Sequence, residues 1–418
     1  MSYFEDFDYD DFSIYNDESI MSLRDWQRRA KEFFFAHDGN VIFEVGTGAG
    51  KTYSAIDIIQ DILYKEPNIK ILIIVPKNVI LETGWYKELS DFGIPIQKIG
   101  VYYGDVKEYA QITITNMQSL NRIPLEMFDM LIMDEIHNYG TKRMLKLIKQ
   151  PMKYKLGLTA TLRRMDNKHF DILKMFNYNI FKYTPGEALA DGVLNPFVFF
   201  NIGVKLDVLS QNKYDDLTQQ LNSIFKTGGS YEKLMRTTTP LKFKMLSVLN
   251  QRKTLVNNYV EKFTIGREIV RHHRNNKVIV FNQFNSQTSK LYWHLLEDDI
   301  DCRIVHSGIP TAKREQALVD FKNDKYNVLL TSKVLDEGYN LPKLDVAIIM
   351  AGDSTDKQTI QRMGRVLRKK KGQDSMLYQI YCIGTLEERN ADSRAKIFKK
   401  LASDYKELEY SGPSSLNL

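Results

Sequence analysis

From Leu23 onward, short apolar, often β-branched runs alternate with helix-length amphipathic segments, the pattern of βαβ units around a parallel sheet. In the first half the strand candidates lie at 41–45, 70–75, 111–115, 130–133 and 155–158, most of them closed by polar or Gly-rich turns. The pattern then repeats, with strands at 277–281, 302–305, 327–330, 346–350 and 377–380 and a helix at 311–321 for which Thr311 is the expected N-cap. Between the halves the chain turns polar and helix-like, and Gly228, Gly229 and Ser230 mark an expected flexible break. The fold class is therefore α/β, two stacked lobes each built on a mainly parallel sheet flanked by helices. The expected divisions are a tail at 1–20, a first lobe at 21–205, a helical linker or insertion at 206–263 and a second lobe at 264–418.

Composition narrows the function classes. A chain of 418 residues exceeds one ordinary core, and 43% hydrophobic against 26% charged residues, without an 18-residue uncharged apolar run, argues against a transmembrane helix. The first 20 residues hold seven acids and no Lys or Arg, the reverse of a secretory signal. They are expected to form a disordered, solvating tail, with an arm that mimics DNA as the alternative. Cys302 and Cys382 stand alone in apolar runs, which supports neither a disulfide framework nor a zinc site and points to the cytoplasm. Because the tail contributes −7 to a formal net charge of +6, the remainder carries +13, compatible with a polyanionic partner.

The chemistry-bearing pattern begins at Gly46, Thr47, Gly48, Ala49, Gly50, Lys51 and Thr52, which spell G-x-x-x-x-G-K-T between a strand and a helix. Such a loop wraps phosphates with backbone N–H groups at a helix N-terminus, Lys51 reaches the β and γ phosphates, and the Thr52 hydroxyl can ligate magnesium. The strand at 130–133 ends in Asp134 and Glu135, two carboxylates at the C-terminal edge of a parallel sheet, where such folds bind ligands. Asp134 is assigned to Mg2+ through water and Glu135 to orienting and deprotonating the attacking water. The cofactors expected are ATP and Mg2+.

Asp134-Glu135-Ile136-His137 resembles motif II of the superfamily-2 DExH helicases, and Leu158-Thr159-Ala160-Thr161 resembles their motif III. The resemblance implies two tandem RecA-like domains. It also implies that Arg24 and Gln27 read the adenine, that Pro76, Lys77, Asn116 and Gln118, in segments similar to motifs Ia and Ib, touch the nucleic-acid backbone, and that His137, with Thr159 and Thr161, couples the ATP site to the second lobe. Trp26 and Trp85 read as packing residues rather than base-stacking platforms.

In the second half, 361–368 matches motif VI, Q-R-x-G-R-x-x-R. Arg365 and Arg368 lie one helical turn apart and would serve as arginine fingers, with Gln361 at the nucleotide. Segments at 278–284 and 331–342 are similar to motifs IV and V, which makes Thr331 a phosphate contact and Gly338 part of the coupling. The motifs run in family order from Leu23 to Arg368, and Gln361 makes the chain most similar to compact phage and bacterial enzymes of the UvsW or RadD type. The function expected is an ATP-dependent DNA helicase or translocase remodelling single-stranded or branched DNA in replication, recombination or repair. It is expected to act as a monomer in a bacterial or phage-infected cell, without membrane association. An RNA helicase and a motor subunit of a restriction or defence complex remain the alternatives.

Overall fold

The computed structural model describes residues 23–46, 48–76, 84–141, 144–145, 149–164, 166–193, 196–332, 344–351 and 374–416. In the N-terminal part, helix α1 (Asp25–Ala36) buries Trp26, Ala30 and Phe34, four residues apart and so on one face. It leads into β1 (Asn40–Val45) and then α2 (Lys51–Lys65), whose buried Ala55, Ile58, Ile59 and Ile62 follow the same helical periodicity. The remaining strands of this part are β2 (Ile71–Val75), β3 (Ile99–Tyr103), β4 (Val106–Lys107), β5 (Ile112–Asn116), β6 (Met130–Met133), β7 (Tyr154–Thr159) and β8 (Ile180–Tyr183), with α3 (Tyr86–Asp91) after β2. They form one sheet in the order β4-β3-β5-β2-β6-β7-β1-β8, parallel throughout except at the β3–β4 hairpin. All five residues of β2 are buried, which is why its sequence is an unbroken apolar run rather than an alternating one.

The order places five strands side by side, β5, β2, β6, β7 and β1, whose C-terminal ends carry Asn116, Pro76, Asp134, Thr159 and Gly46. Register sharpens the alignment, with Glu44 opposite Thr159 and Met133 opposite Gly157. Gly157 is required there by close approach, since a Cβ would stand 2.5 Å from the Cδ1 of Ile136, the residue that folds back beneath the sheet edge.

The second sheet contains β9 (Phe197–Val204), β10 (Val278–Phe281), β11 (Cys302–Val305), β12 (Val328–Thr331), β13 (Val346–Ile349), β14 (Ser375–Cys382) and β15 (Asp404–Tyr410), all parallel in the order β11-β12-β10-β13-β14-β9-β15. Here the lobe boundary drawn from sequence moves. Residues 197–204, expected in the first lobe, pair over their whole length with β14 and from Val198 onward with β15, so this strand belongs to the second sheet. The helices Val208–Gly228, Tyr231–Met235 and Pro240–Asn257 are accordingly an excursion between two strands of the second sheet, not a linker between lobes. They share an apolar cluster of their own, including Leu217, Leu221, Ile224, Leu234, Met245 and Val248.

The break expected at Gly228 to Ser230 is a capped corner. Gly229 closes the first helix, and Ser230 starts the next by accepting a hydrogen bond from the Lys233 amide at 3.3 Å. Thr311 is likewise the first residue of its helix rather than the cap, which falls on Pro310; the Thr311 hydroxyl accepts from the Arg314 guanidinium at 2.8 Å. The helix Val260–His272 packs with the second sheet and is anchored by a buried ion pair, Lys262 Nζ to Glu387 Oε1 at 2.6 Å. Among the described residues no helix is long and apolar enough to cross a membrane.

Candidate active site

The loop after β1 is fixed by the chain that precedes it. Arg24 donates from its guanidinium to the Ala49 carbonyl at 2.7 Å, and the Gln27 amide donates to the Gly50 carbonyl at 3.0 Å. The Gln27 carbonyl oxygen in turn accepts from the Arg24 amide at 2.9 Å, so the two side chains act as a unit. Gly50 sits at φ 101°, and a Cβ there would come within 3.0 Å of Gln27 Nε2; conformation and space both require glycine. Arg24 and Gln27 therefore brace the phosphate loop in addition to any role toward a base. Arg24 also lines a cleft with Asp25, Trp26, Asp191, Gly192 and Val193, and Trp26 stacks on Tyr183 at 4.9 Å between ring centroids, a packing role as its sequence context predicts.

Lys51 opens α2 and donates to the Val45 carbonyl at 3.1 Å, at the end of the same strand. Gly46 and Ala49 are buried, Gly48 is exposed with φ 82°, and Thr52 follows Lys51 in the first turn of α2. Thr47 lies outside the described residues.

Two strands away, β6 delivers Asp134 and Glu135. The Asp134 carboxylate is tethered at both oxygens, Oδ1 accepting from the Glu135 amide at 2.9 Å and Oδ2 from the Trp85 indole N–H at 3.1 Å. Burial pushes its pKa up from the ordinary carboxylate range, against the pull of the Trp85 hydrogen bond, the nearby Lys51 charge and the Glu135 amide. Glu135 turns the chain through φ 49°, a left-handed conformation costly for a residue with a Cβ. The short 3-10 turn Ile136–Tyr139 that follows is buried at Ile136, His137 and Tyr139.

His137 ties the neighbouring motif to this one. Its Nδ1 lies 2.9 Å from the Thr159 hydroxyl and 3.3 Å from Glu135 Oε2, so one ring nitrogen faces both the β7 terminus and the second carboxylate. Thr159 donates to the Thr161 carbonyl at 2.9 Å and accepts from the Thr161 amide at 3.2 Å, which closes the turn after β7. Arg164 grips the same turn, hydrogen-bonding the His137 carbonyl and pairing with Asp166 at 2.8 Å. The structure thus brings together Lys51, Asp134, Glu135, His137, Thr159 and Thr161.

Along the same edge Asn116 is buried and accepts from the Ser119 amide at 2.7 Å, while Gln118 is exposed and Pro76 half-buried. In the second lobe Thr331 ends β12, fully buried, its hydroxyl donating to the Ser332 carbonyl at 2.9 Å. Lys77, Gly338, Gln361, Arg365 and Arg368 lie outside the described residues. Sequence reasoning missed the site roles of Trp85, Arg164 and Glu44, whose Oε1 accepts from the Leu162 amide at 2.9 Å. None of these carries a local motif of its own; each is found only when strands distant in sequence become neighbours.

Two parallel α/β sheets, with a phosphate loop and paired carboxylates on the C-terminal edge of the first, define a two-lobed P-loop ATPase. Residues 20–164 match the family described as type III restriction enzyme, res subunit, and residues 261–370 match the helicase conserved C-terminal domain. The chain is similar to the DNA 3'-5' translocase XPB2 of Sulfurisphaera tokodaii, 28% identical over 88% of this chain and 83% of that one. It is also similar to the DNA 3'-5' helicase XPB of Mycobacterium tuberculosis, 23% identical over 92% of this chain and 65% of that one. The putative DNA 3'-5' helicase Rad25 of Halobacterium salinarum is 25% identical, and the chain spans about half (52%) of its length. In fold it matches the Pyrococcus furiosus Hef helicase domain, with a TM-score of 0.61 and 17% identity, covering 88% of this chain and 98% of that one. It also matches Saccharomyces cerevisiae Dbp5 bound to RNA and ADP BeF3, with a TM-score of 0.60 and 15% identity, covering 94% and 91%. The two helicase-domain matches in tandem, with these relatives, support a superfamily-2, nucleic-acid-dependent ATPase built from two RecA-like domains. These relatives are of XPB type, which corrects the narrower UvsW or RadD likeness drawn from Gln361.

Proposed function

We propose that this chain is an ATP-driven DNA helicase or translocase that remodels single-stranded or branched DNA in replication, recombination or repair, acting as a monomer. One observation carries the reading: a single sheet edge gathers Lys51, Asp134, Glu135, His137 and Thr159, with Pro76 and Asn116 next along it. The named activities of the XPB-type relatives supply the choice of DNA.

In this reading the Gly46 to Gly50 backbone cradles the phosphates, and Lys51 exchanges the Val45 carbonyl for a phosphate oxygen. Thr52 and Asp134 offer hard oxygen donors, the set Mg2+ prefers, and the half-buried Asp134 carboxylate, held by one donor on each oxygen, fits a cation. When bound, Mg2+ neutralises charge on the β and γ phosphates. Glu135 orients and deprotonates the attacking water, with His137 beside its carboxylate reporting that state to the Thr159 turn. Arg365 and Arg368 complete the site from the second lobe, Gln361 contacts the nucleotide, and Gly338 joins the coupling path. Pro76, Lys77, Asn116, Gln118 and Thr331 contact the nucleic-acid backbone.

The test is the ATPase rate of the full chain with no nucleic acid, with single-stranded DNA, with branched DNA and with RNA, beside Lys51→Ala. Stimulation by either DNA, with a loss of roughly 100-fold or more in Lys51→Ala, is expected. Stimulation by RNA alone would overturn the substrate and keep the motor.

A further inference from the structure

We propose that Trp85 is a positioning residue for the Asp134 carboxylate. The inference rests on the reading of Asp134 as the residue that holds the metal.

Trp85 is 1% exposed, and its single polar atom is spent on Asp134 Oδ2 at 3.1 Å. The other carboxylate oxygen is held by the Glu135 amide, and the Asp134 backbone amide donates to the Ile74 carbonyl at 2.9 Å. With one donor on each oxygen the carboxylate plane is fixed, and each oxygen keeps a lone pair for an ion or its water. An indole N–H is well suited to this: it donates and cannot accept, so it never competes with the carboxylate for a cation. Without it, a carboxylate with a free torsion would have to be ordered each time the metal binds, and supporting contacts of this kind commonly carry roughly 10–100-fold of metal affinity.

The experiment measures ADP binding to the full chain by calorimetry, with Mg2+ and with EDTA, for the wild type, Trp85→Phe, Asp134→Asn and the double variant. In Trp85→Phe the Mg2+-dependent gain in ADP affinity is expected to fall roughly tenfold, with metal-free affinity unchanged. The double variant is expected to bind no more weakly than Asp134→Asn. A Trp85→Phe protein that keeps the full gain while Asp134→Asn loses it would overturn the role of Trp85 alone. An Asp134→Asn protein that keeps the gain would overturn the reading of Asp134 and this inference together. Equal loss of ADP affinity with and without Mg2+ in Trp85→Phe would overturn it as a mere packing effect. Should Trp85→Phe fail to fold, tryptophan emission of the wild type is compared with that of Asp134→Asn as Mg2+ is added with ADP. A shift only in the wild type supports the inference, and equal shifts overturn it.

Discussion

Glu135 occupies a backbone conformation that an acid side chain does not choose, and it holds the position because the turn beneath it buries Ile136, His137 and Tyr139. Glu135→Gln is close to isosteric and keeps the backbone, so ATP binding should survive while turnover falls by about 10²–10⁴. Retention of the native rate in a single-turnover assay would remove Glu135 from the role of base. Away from the site, His273 is buried against the Tyr378 hydroxyl at 2.9 Å, and burial lowers its pKa from 6.5 to about 4. The folded chain thus resists a proton that the unfolded chain accepts. Stability from this residue is complete above about pH 6.5 and declines as pH falls toward 4, by at most ~1.4 kcal/mol per pH unit. Urea unfolding at pH 7 and pH 5 should show the decline, and His273→Gln should flatten it. Cys302 lies in a buried strand position, and burial pushes its thiol up to about 12. It should be inert to thiol reagents until the protein unfolds.

Elements buried on both faces were legible in the sequence because an apolar run admits few other readings. The strands β1, β2, β5, β6, β7 and those from β10 to β14 fall within a residue or two of their expected places. Strand β15, Asp-Tyr-Lys-Glu-Leu-Glu-Tyr, was not legible, since it sits at a sheet edge and only Tyr405, Leu408 and Tyr410 are withdrawn from water. Strand β9 shows the limit differently. Its residues are apolar enough to read as a strand, but nothing local reveals which sheet receives them, because its partners follow more than 170 residues later. The phosphate loop and acid pair were legible as spacing, whereas Trp85 became visible only through its contact. One consequence is a fragment test. Residues 23–193 should remain soluble, whereas 23–205 should aggregate, because it exposes Phe197, Phe199, Phe200 and Ile202 on a strand without partners. Light scattering of the two purified fragments decides it, and equal solubility would contradict the boundary.

Across the whole molecule, a buried apolar cluster runs from Tyr183 and Ala188 of the first lobe to Phe197 and Phe199 of the second, so the lobes share packing as well as covalent linkage. Charge is divided less evenly, since the acidic residues 1–20 precede a body of formal charge +13. Removing them should leave DNA affinity unchanged if they only solvate; at low salt, a several-fold gain in fluorescence anisotropy titrations would identify them as a competitor for the positive surface. The pairing of β9 also sets a schedule for biosynthesis. The first sheet is fully encoded by Tyr183, while β9 leaves the ribosome and waits 171 residues, from Val204 to Ser375, for its first neighbour. At translation rates of about 5–20 residues per second that interval is roughly 10–30 s. The nucleotide-binding half can be folded before the half that completes the motor has its central strands, which makes the nascent Phe-rich strand at 197–204 a candidate client for ribosome-associated chaperones.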